Sequence, residues 1–278
     1  VMTLKDHRLL TKSACKPGLR LARSLLPGQK RGLLDRALFI PRRLVNICAA
    51  LGLFMILCLG VVASQPDQEM VMSYSLANKV IAVDAGHGGF DPGAKRDNIT
   101  EDKITLAISK LLQKHLSEAG SLVVMVREDD RDLSDENFSG SLRERKRQDL
   151  TRRAEKANQA KAKLYVSIHA NADPSPRWRG AQVFYDRNSE EGKRVAVAIQ
   201  EELTRILGNT KRKALPGSYY ITQKTEMPAV IVEVGFISNP EEGKLLMDPD
   251  YQAKVAYAIY AGIAKSQCQS GEFAIVYP

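Results

Sequence analysis

The sequence predicts an α/β fold: a mixed, mainly parallel sheet with helices on both faces, preceded by one transmembrane helix. Three observations predict it. Short β-branched runs alternate with amphipathic stretches from Lys79 onward. The amphipathic stretches are long enough to cross between parallel strands. A separate uncharged run of 20 residues, Leu44 to Ala63, stands ahead of that pattern.

Residues 1–43 read as a basic cytoplasmic arm and 44–63 as a transmembrane anchor. Twenty apolar residues are about what a helix needs to cross ~30 Å of hydrocarbon. Arg42 and Arg43 precede the run, and only Asp67 and Glu69 carry charge soon after it, which puts the N-terminus inside and the rest outside the cell membrane. The rival reading is a cleaved signal peptide, with Val61, Val62 and Ala63 as the cleavage region. The leader and its apolar run are both long for that. The arm itself reads either as a lipid-binding segment or as sequence upstream of the true start.

Residues 64–78 read as a linker, 79–267 as the catalytic domain and 268–278 as a C-terminal tail. Val80 to Val83 is a β-rich run that ends in Asp84-Ala85-Gly86-His87-Gly88-Gly89. Glu101 to Ala119 is a helix with Ile104, Ile108, Leu112 and Leu116 on one face, Thr100 as its N-cap and Gly120 as its stop. Leu122 to Val126 is a strand, Leu142 to Ala160 a charged helix, and Lys163 to Ile168 a strand ending at His169. Ala181 to Tyr185 is a strand, Glu190 to Leu207 a helix, Ala229 to Val234 a buried strand, and Asp250 to Lys265 the closing helix.

The net charge of +9 belongs to the arm. Residues 1–44 hold 11 Lys and Arg against Asp6 and Asp35, so the remainder is neutral. A nucleic-acid partner therefore has no electrostatic support. Four cysteines without a CxxC spacing make neither a disulfide framework nor a cysteine zinc site.

Sites in such sheets form at the carboxyl ends of strands. Three strands end there in chemically able residues: His87 in its glycine loop, Ser167-Ile168-His169-Ala170-Asn171, and Val232-Glu233-Val234-Gly235-Phe236. Two imidazoles and a carboxylate with an open fourth position are what a catalytic zinc requires. Glu233 falls inside an apolar run, where an unpaired carboxylate costs several kcal/mol, so it needs a partner. Of the other histidines, His7 lies in the arm and His115 on a helix, expected to be exposed. Asp84 either orients an imidazole from behind or simply ends its strand. Arg177, Trp178 and Arg179 either contact an anionic glycan or form an exposed loop.

From about Lys79 to Lys265 the chain resembles the zinc-dependent N-acetylmuramoyl-L-alanine amidases of the bacterial cell wall. The segment from Val83 to Gly89, with Asp91-Pro92-Gly93-Ala94, resembles that family's first zinc loop, Ala85 standing where Pro is more usual. Thr100-Glu101-Asp102-Lys103 is similar to the carboxylate-ligand segment, where Glu-Lys is the usual pair and Asp102 intervenes here. Arg153, Ala157 and Asn158 fit the helix before the His169 strand, and Glu233 to Asn239 fits the catalytic segment. The resemblance implies Zn2+ on His87, Glu101 and His169, with Glu233 as acid and base. Within the family, the segments 127–133, 145–153, 175–182 and 209–215 are most like the membrane-anchored, germination-specific amidases of spore formers. Only eight residues separate Asn171 from Gly180, which leaves no room for the inhibitory helix of cell-division amidases.

The implied reaction is hydrolysis of the amide between N-acetylmuramic acid and L-alanine, on a peptidoglycan glycan strand bearing stem peptides. A polysaccharide deacetylase would act downstream in forming cortex muramic lactam, and related amidases take a lipoprotein activator. The alternatives are a general autolysin, a zinc carboxypeptidase, a non-catalytic wall-binding scaffold, and a non-haem iron oxygenase with the same ligand types. The carboxypeptidase lacks an evident arginine clamp, and the oxygenase usually sits on an all-β barrel.

Overall fold

A computed structural model describes residues 41–63 and 75–269 of the chain. Residues 1–40 of the expected basic arm, most of the expected linker and the residues after 269 lie outside the described residues. The chain divides into two compact units, residues 1–64 and 65–278.

In the first unit, Arg42–Ala63 forms helix α1. Its described side chains include exposed Leu44, Ile47, Leu51, Phe54 and Ile56. Among the described residues no helix is long and apolar enough to cross a membrane. The expected span therefore lacks structural support: it runs on through residues 58–63, whose side chains lie outside the described ones.

The second unit carries the strands β1 (Val80–Ala85), β2 (Lys95–Arg96), β3 (Ile99–Thr100), β4 (Leu122–Met125), β5 (Leu164–Asn171), β6 (Gln182–Asp186), β7 (Leu215–Gly217) and β8 (Ala229–Phe236). Its helices are α2 (Glu101–Glu118), α3 (Leu142–Gln159), α4 (Glu190–Leu207), α5 (Tyr220–Lys224), α6 (Pro240–Leu246) and α7 (Pro249–Gln269). The main sheet has six strands in the order β4-β1-β5-β8-β6-β7. β1 pairs parallel with β4 and β5, and β5 parallel with β8. β6 runs antiparallel to β8, so the sheet is mixed but mainly parallel.

Side chains of one strand alternate between two cores. Ile81 and Val83 join Ile108, Leu112, Ile199 and Ile259 on the face covered by α2, α4 and α7. Ala82 joins Tyr165, Ile231, Ala154 and Ile221 on the face covered by α3 and α5. β1 sits between β4 and β5, and the connections on its two sides cover opposite faces. The crevice at the carboxyl end of β1 is thus a switch point, where ligands of open α/β sheets bind.

Local signals explain most boundaries. Ser141 caps α3 through a reciprocal capping box with Glu144. Asn239 caps α6, with Pro240 in its first turn. Thr100 does occupy the N-cap of α2, but its hydroxyl makes no capping bond. Strand β8 runs two residues beyond its apolar pattern, to Phe236. His115 is half-buried rather than exposed, stacked on Tyr260 at 5.7 Å and edge-on to Tyr257 at 5.8 Å. Ser75 and Leu76, at the end of the expected linker, are buried, and α7 extends past Lys265 to Gln269.

Candidate metal centre

The loop after β1 brings His87 to the carboxyl edge in the left-handed conformation, with φ of 64°. Glycine would adopt that backbone more readily, so tertiary contacts must hold it. Two buried arginines do so. Arg153 of α3 donates Nη1 to the Ala85 carbonyl at 2.9 Å and Nη2 to the His87 carbonyl at 2.7 Å. Arg127 donates Nε to the Ala85 carbonyl at 2.7 Å and Nη2 to the Gly86 carbonyl at 3.0 Å. A Cβ at Gly86 would run into the His169 ring, so only glycine fits between loop and imidazole.

His87, Glu101 and His169 come together, each offering one ligand atom, all within 4.8 Å of one another. Glu101 stands in the first turn of α2. Its Oε1 lies 3.2 Å from His87 Nε2 and 2.9 Å from His169 Nδ1. The Glu101 carboxylate is oriented by backbone donors: Ala170 N reaches Oε1 at 3.0 Å and Ala94 N reaches Oε2 at 2.9 Å. The next residue, Asp102, is buried beside the loop and is not one of the three. Its carbonyl accepts from Arg127 Nη2 at 2.8 Å.

The other nitrogen of His87, Nδ1, lies 2.9 Å from Asp91 Oδ2, and Lys146 Nζ is 2.9 Å from that same oxygen. Asp91 therefore orients the ring, as carboxylates behind ligand imidazoles do. Asp84 does not: its Oδ1 accepts from Arg153 Nη1 at 2.8 Å and its Oδ2 from the Ser167 hydroxyl at 2.8 Å. Of the two readings of Asp84, the buried strand-end role is the one observed.

Glu233 lies opposite His169 in the β5/β8 ladder, just before a register shift between His169 and Asn171. Its Oε2 is shielded from solvent and has no hydrogen-bond partner among the described residues. A cavity of about 160 Å³ opens beside the cluster, bordered by His87, His169, Lys146, Tyr219, Tyr220 and Ile231.

Charge follows from these contacts. Burial pushes the Glu101 carboxyl up, but the His169 and His87 imidazoles outweigh it and hold it well below its ordinary value. Burial disfavours the charged ring of His87, yet its bonds to Asp91 and Glu101 raise its pKa to about 9. Those same carboxylates favour any cation at that point. Burial lifts Glu233 to about 7, with His169 pulling it down and Glu101 pushing it up. A carboxyl poised near neutrality can both take and return a proton. The arrangement can thus hold one metal ion on two imidazoles and a carboxylate, with the buried Glu233 carboxyl one strand away.

Sequence reasoning missed Asp91, Lys146 and the role of Arg127. The Asp91-Pro92-Gly93 turn was the available signal: a short acidic side chain four residues from His87, followed by turn residues.

An open α/β sheet with this cluster at its switch point defines the class of a candidate single-metal hydrolase. Residues 81–265 match the N-acetylmuramoyl-L-alanine amidase family, and the chain belongs to it. It is 43% identical over 210 residues to the germination-specific N-acetylmuramoyl-L-alanine amidase of Bacillus subtilis, covering 75% of this chain and 88% of that protein. Its fold is similar to the CwlD amidase of Clostridioides difficile, solved in complex with the GerS lipoprotein. The TM-score is 0.66 and the identity 39%, over 68% of this chain and 98% of that one. The catalytic domain of CwlV from Bacillus (Paenibacillus) polymyxa var. colistinus matches at a TM-score of 0.57 and 33% identity, over 67% of this chain and 97% of that one. The chain is therefore an amidase, an enzyme for the amide of N-acetylmuramoyl-L-alanine.

Proposed function

We propose that this amidase strips stem peptides from muramic acid in spore-cortex peptidoglycan, using zinc on His87, Glu101 and His169 and Glu233 as acid and base. The observation that carries the reading is the pairing of a three-ligand cluster with the unpartnered Oε2 of Glu233 on the neighbouring strand. The donor set suits zinc, which takes imidazole nitrogen and carboxylate oxygen and leaves a position open in catalytic sites. When bound, zinc would polarise the scissile carbonyl and lower the pKa of water towards ~7.

The chain's own residues do the rest. Asp91 fixes the His87 ring through Nδ1, leaving Nε2 for the ion. The amides of Ala94 and Ala170 hold the Glu101 carboxylate. Glu233 Oε2 takes a proton from the attacking water and delivers it to the departing L-alanine nitrogen. The hydroxyl stays on the lactyl carbon, which becomes a carboxylate.

The cortex role rests on the identity to the germination-specific relative. That the C. difficile amidase was solved with a lipoprotein supports a lipoprotein activator here also. The product, a peptide-free muramic acid, is what a deacetylase would need for lactam formation. The uncharged run 44–63 supports a single-pass anchor, with the catalytic domain on the wall side of the membrane.

The test is digestion of peptidoglycan by the zinc-loaded full chain beside Glu233→Gln, with mass spectrometry of the soluble products. Stem peptides beginning with L-alanine, released by the unmutated protein alone, are the expected result. Stems released equally by both proteins would remove Glu233 from the mechanism. If stems appear only after a lipoprotein partner is added, the enzyme is partner-dependent.

A further inference from the structure

An exposed basic and aromatic cluster stands outside the metal centre and has no part in the reaction above. Trp178, the single tryptophan of the chain, lies on the loop between β5 and β6 and is 43% exposed. The guanidinium carbon of Arg177 is 5.2 Å from the centre of its ring, and that of Arg212 is 5.6 Å away. Arg212 is not a loose surface side chain. It also lies 5.0 Å from the ring of Phe236. Its Nε donates to the Arg179 carbonyl at 3.2 Å and its Nη1 to Gln182 Oε1 at 3.1 Å. Lys211 and Lys213, on either side of it, are exposed.

The cluster is tied to the reaction centre by the sheet. Gln182 pairs with Glu233 across β6 and β8, and Phe236 ends the strand that bears Glu233. The cluster therefore stands one strand over from the proton-transfer group, on the same carboxyl edge.

An indole with an open surface covers the apolar face of a pyranose, and a braced guanidinium takes a carboxylate through two parallel bonds. One ligand offers both groups: the product sugar itself. Hydrolysis leaves a free lactyl carboxylate on a muramic acid where the substrate had a neutral amide.

We infer that Trp178, Arg177 and Arg212 form a subsite for a peptide-free muramic acid, the pyranose on the indole and its lactyl carboxylate on the guanidinium groups. The inference rests on the amidase reading for the origin of that carboxylate. Its consequence is that the enzyme grips a strand already cleaved once and presents a further position of the same strand to the metal centre. A muramic acid that still carries its stem offers no lactyl charge and is held less well there.

The single tryptophan makes the test direct, because protein emission excited at the indole band reports on Trp178 alone. The full chain is titrated with three probes: peptide-free muramyl glycan oligosaccharides, neutral chitotetraose, and free stem peptide. Peptide-free strands are expected to change the emission saturably, at concentrations about tenfold lower than chitotetraose, the worth of one charge-assisted contact. Arg212→Gln should weaken that response about tenfold. Arg177→Gln, at an exposed position, should weaken it without a change in folding. An equal response to chitotetraose, or a response to free stem peptide in place of the strands, overturns the inference. Stem release from peptidoglycan is measured on the same preparation. Release without any emission response to peptide-free strands overturns the subsite and leaves the amidase reading standing. An emission response without release upholds the subsite and points to the partner-dependent form of the amidase.

Discussion

Two buried charge clusters share the carboxyl edge of one sheet and differ in how fully their atoms are satisfied. Around Arg153 the charges are paired: Nε donates to Asp149, Nη1 to Asp84 and the Ala85 carbonyl, and Nη2 to the His87 carbonyl. The second oxygen of Asp84 takes the Ser167 hydroxyl. Burial pushes Asp84 up, but Arg153 and Ser167 outweigh it and keep it ionised. Around Glu101, by contrast, two ring nitrogens face one carboxylate oxygen, and the neighbouring Glu233 Oε2 has no protein partner among the described residues. Buried polar atoms in folded proteins are nearly always paired. The first cluster balances its charges within the protein and shapes the loop. The second leaves the buried Glu233 Oε2 unpaired beside a group of side chains that could hold a metal ion.

The sharpest way to break this contrast is Glu233→Gln. On the proposed mechanism, loss of Glu233 as acid and base should cut turnover by about 10²–10⁴-fold. The melting temperature should hold or rise, because the neutral amide removes a buried carboxyl. Stem-release kinetics beside a thermal melt check both halves, and a large loss of stability would place Glu233 with the structural cluster.

Arg153→Ala should do the opposite. Removing one partner of a buried ion pair costs about 3–5 kcal/mol, so denaturant unfolding should show a greatly lowered midpoint. Activity should fall further than the folded fraction, because Arg153 also grips the His87 carbonyl.

Asp91→Asn probes the link between the clusters. Loss of the carboxylate behind the His87 ring should weaken zinc binding by about 10–100-fold, read by competition with a chelator. Unfolding of the metal-free form should change far less than for Arg153→Ala.

The smallest expected effect is a pH slope. In the metal-free protein the Glu233 carboxyl titrates at about 7, above its ordinary 4.5. Between those values the folded state holds a proton that the unfolded state releases. The stability from this group is therefore fully present below 4.5 and is lost as pH rises through 7. Denaturant midpoints between pH 5 and 8 should fall for the native sequence, and Glu233→Gln should remove that part of the slope.

Much of the fold was legible because burial patterns are local. The four-residue β-rich run at Val80 and the 3.6-residue spacing of Ile104, Ile108, Leu112 and Leu116 identify strand and helix before any packing is known. The short pieces were not legible. β2, β3, β7 and α5 span only two to five residues each, too few for a period to show. His115 reads as exposed when its helix is considered alone, whereas its cover comes from Tyr257 and Tyr260, which lie on α7, far away in the chain. The sequence offers Asp84 as a candidate partner of an imidazole and gives Asp91 no role, although both are aspartates close to His87.

By itself the sequence determined the alternation of strand and helix, the glycine loop around His87, and the isolation of Glu233 in an apolar run. These depend on neighbours within a turn or two. Only the tertiary structure decided that Asp91 orients His87, that Arg127 and Arg153 grip the loop carbonyls, and that Trp178 and Arg212 meet one strand from Glu233. Those contacts join residues that strand order brings together, and a buried charge or an exposed ring takes its meaning from the partner it meets.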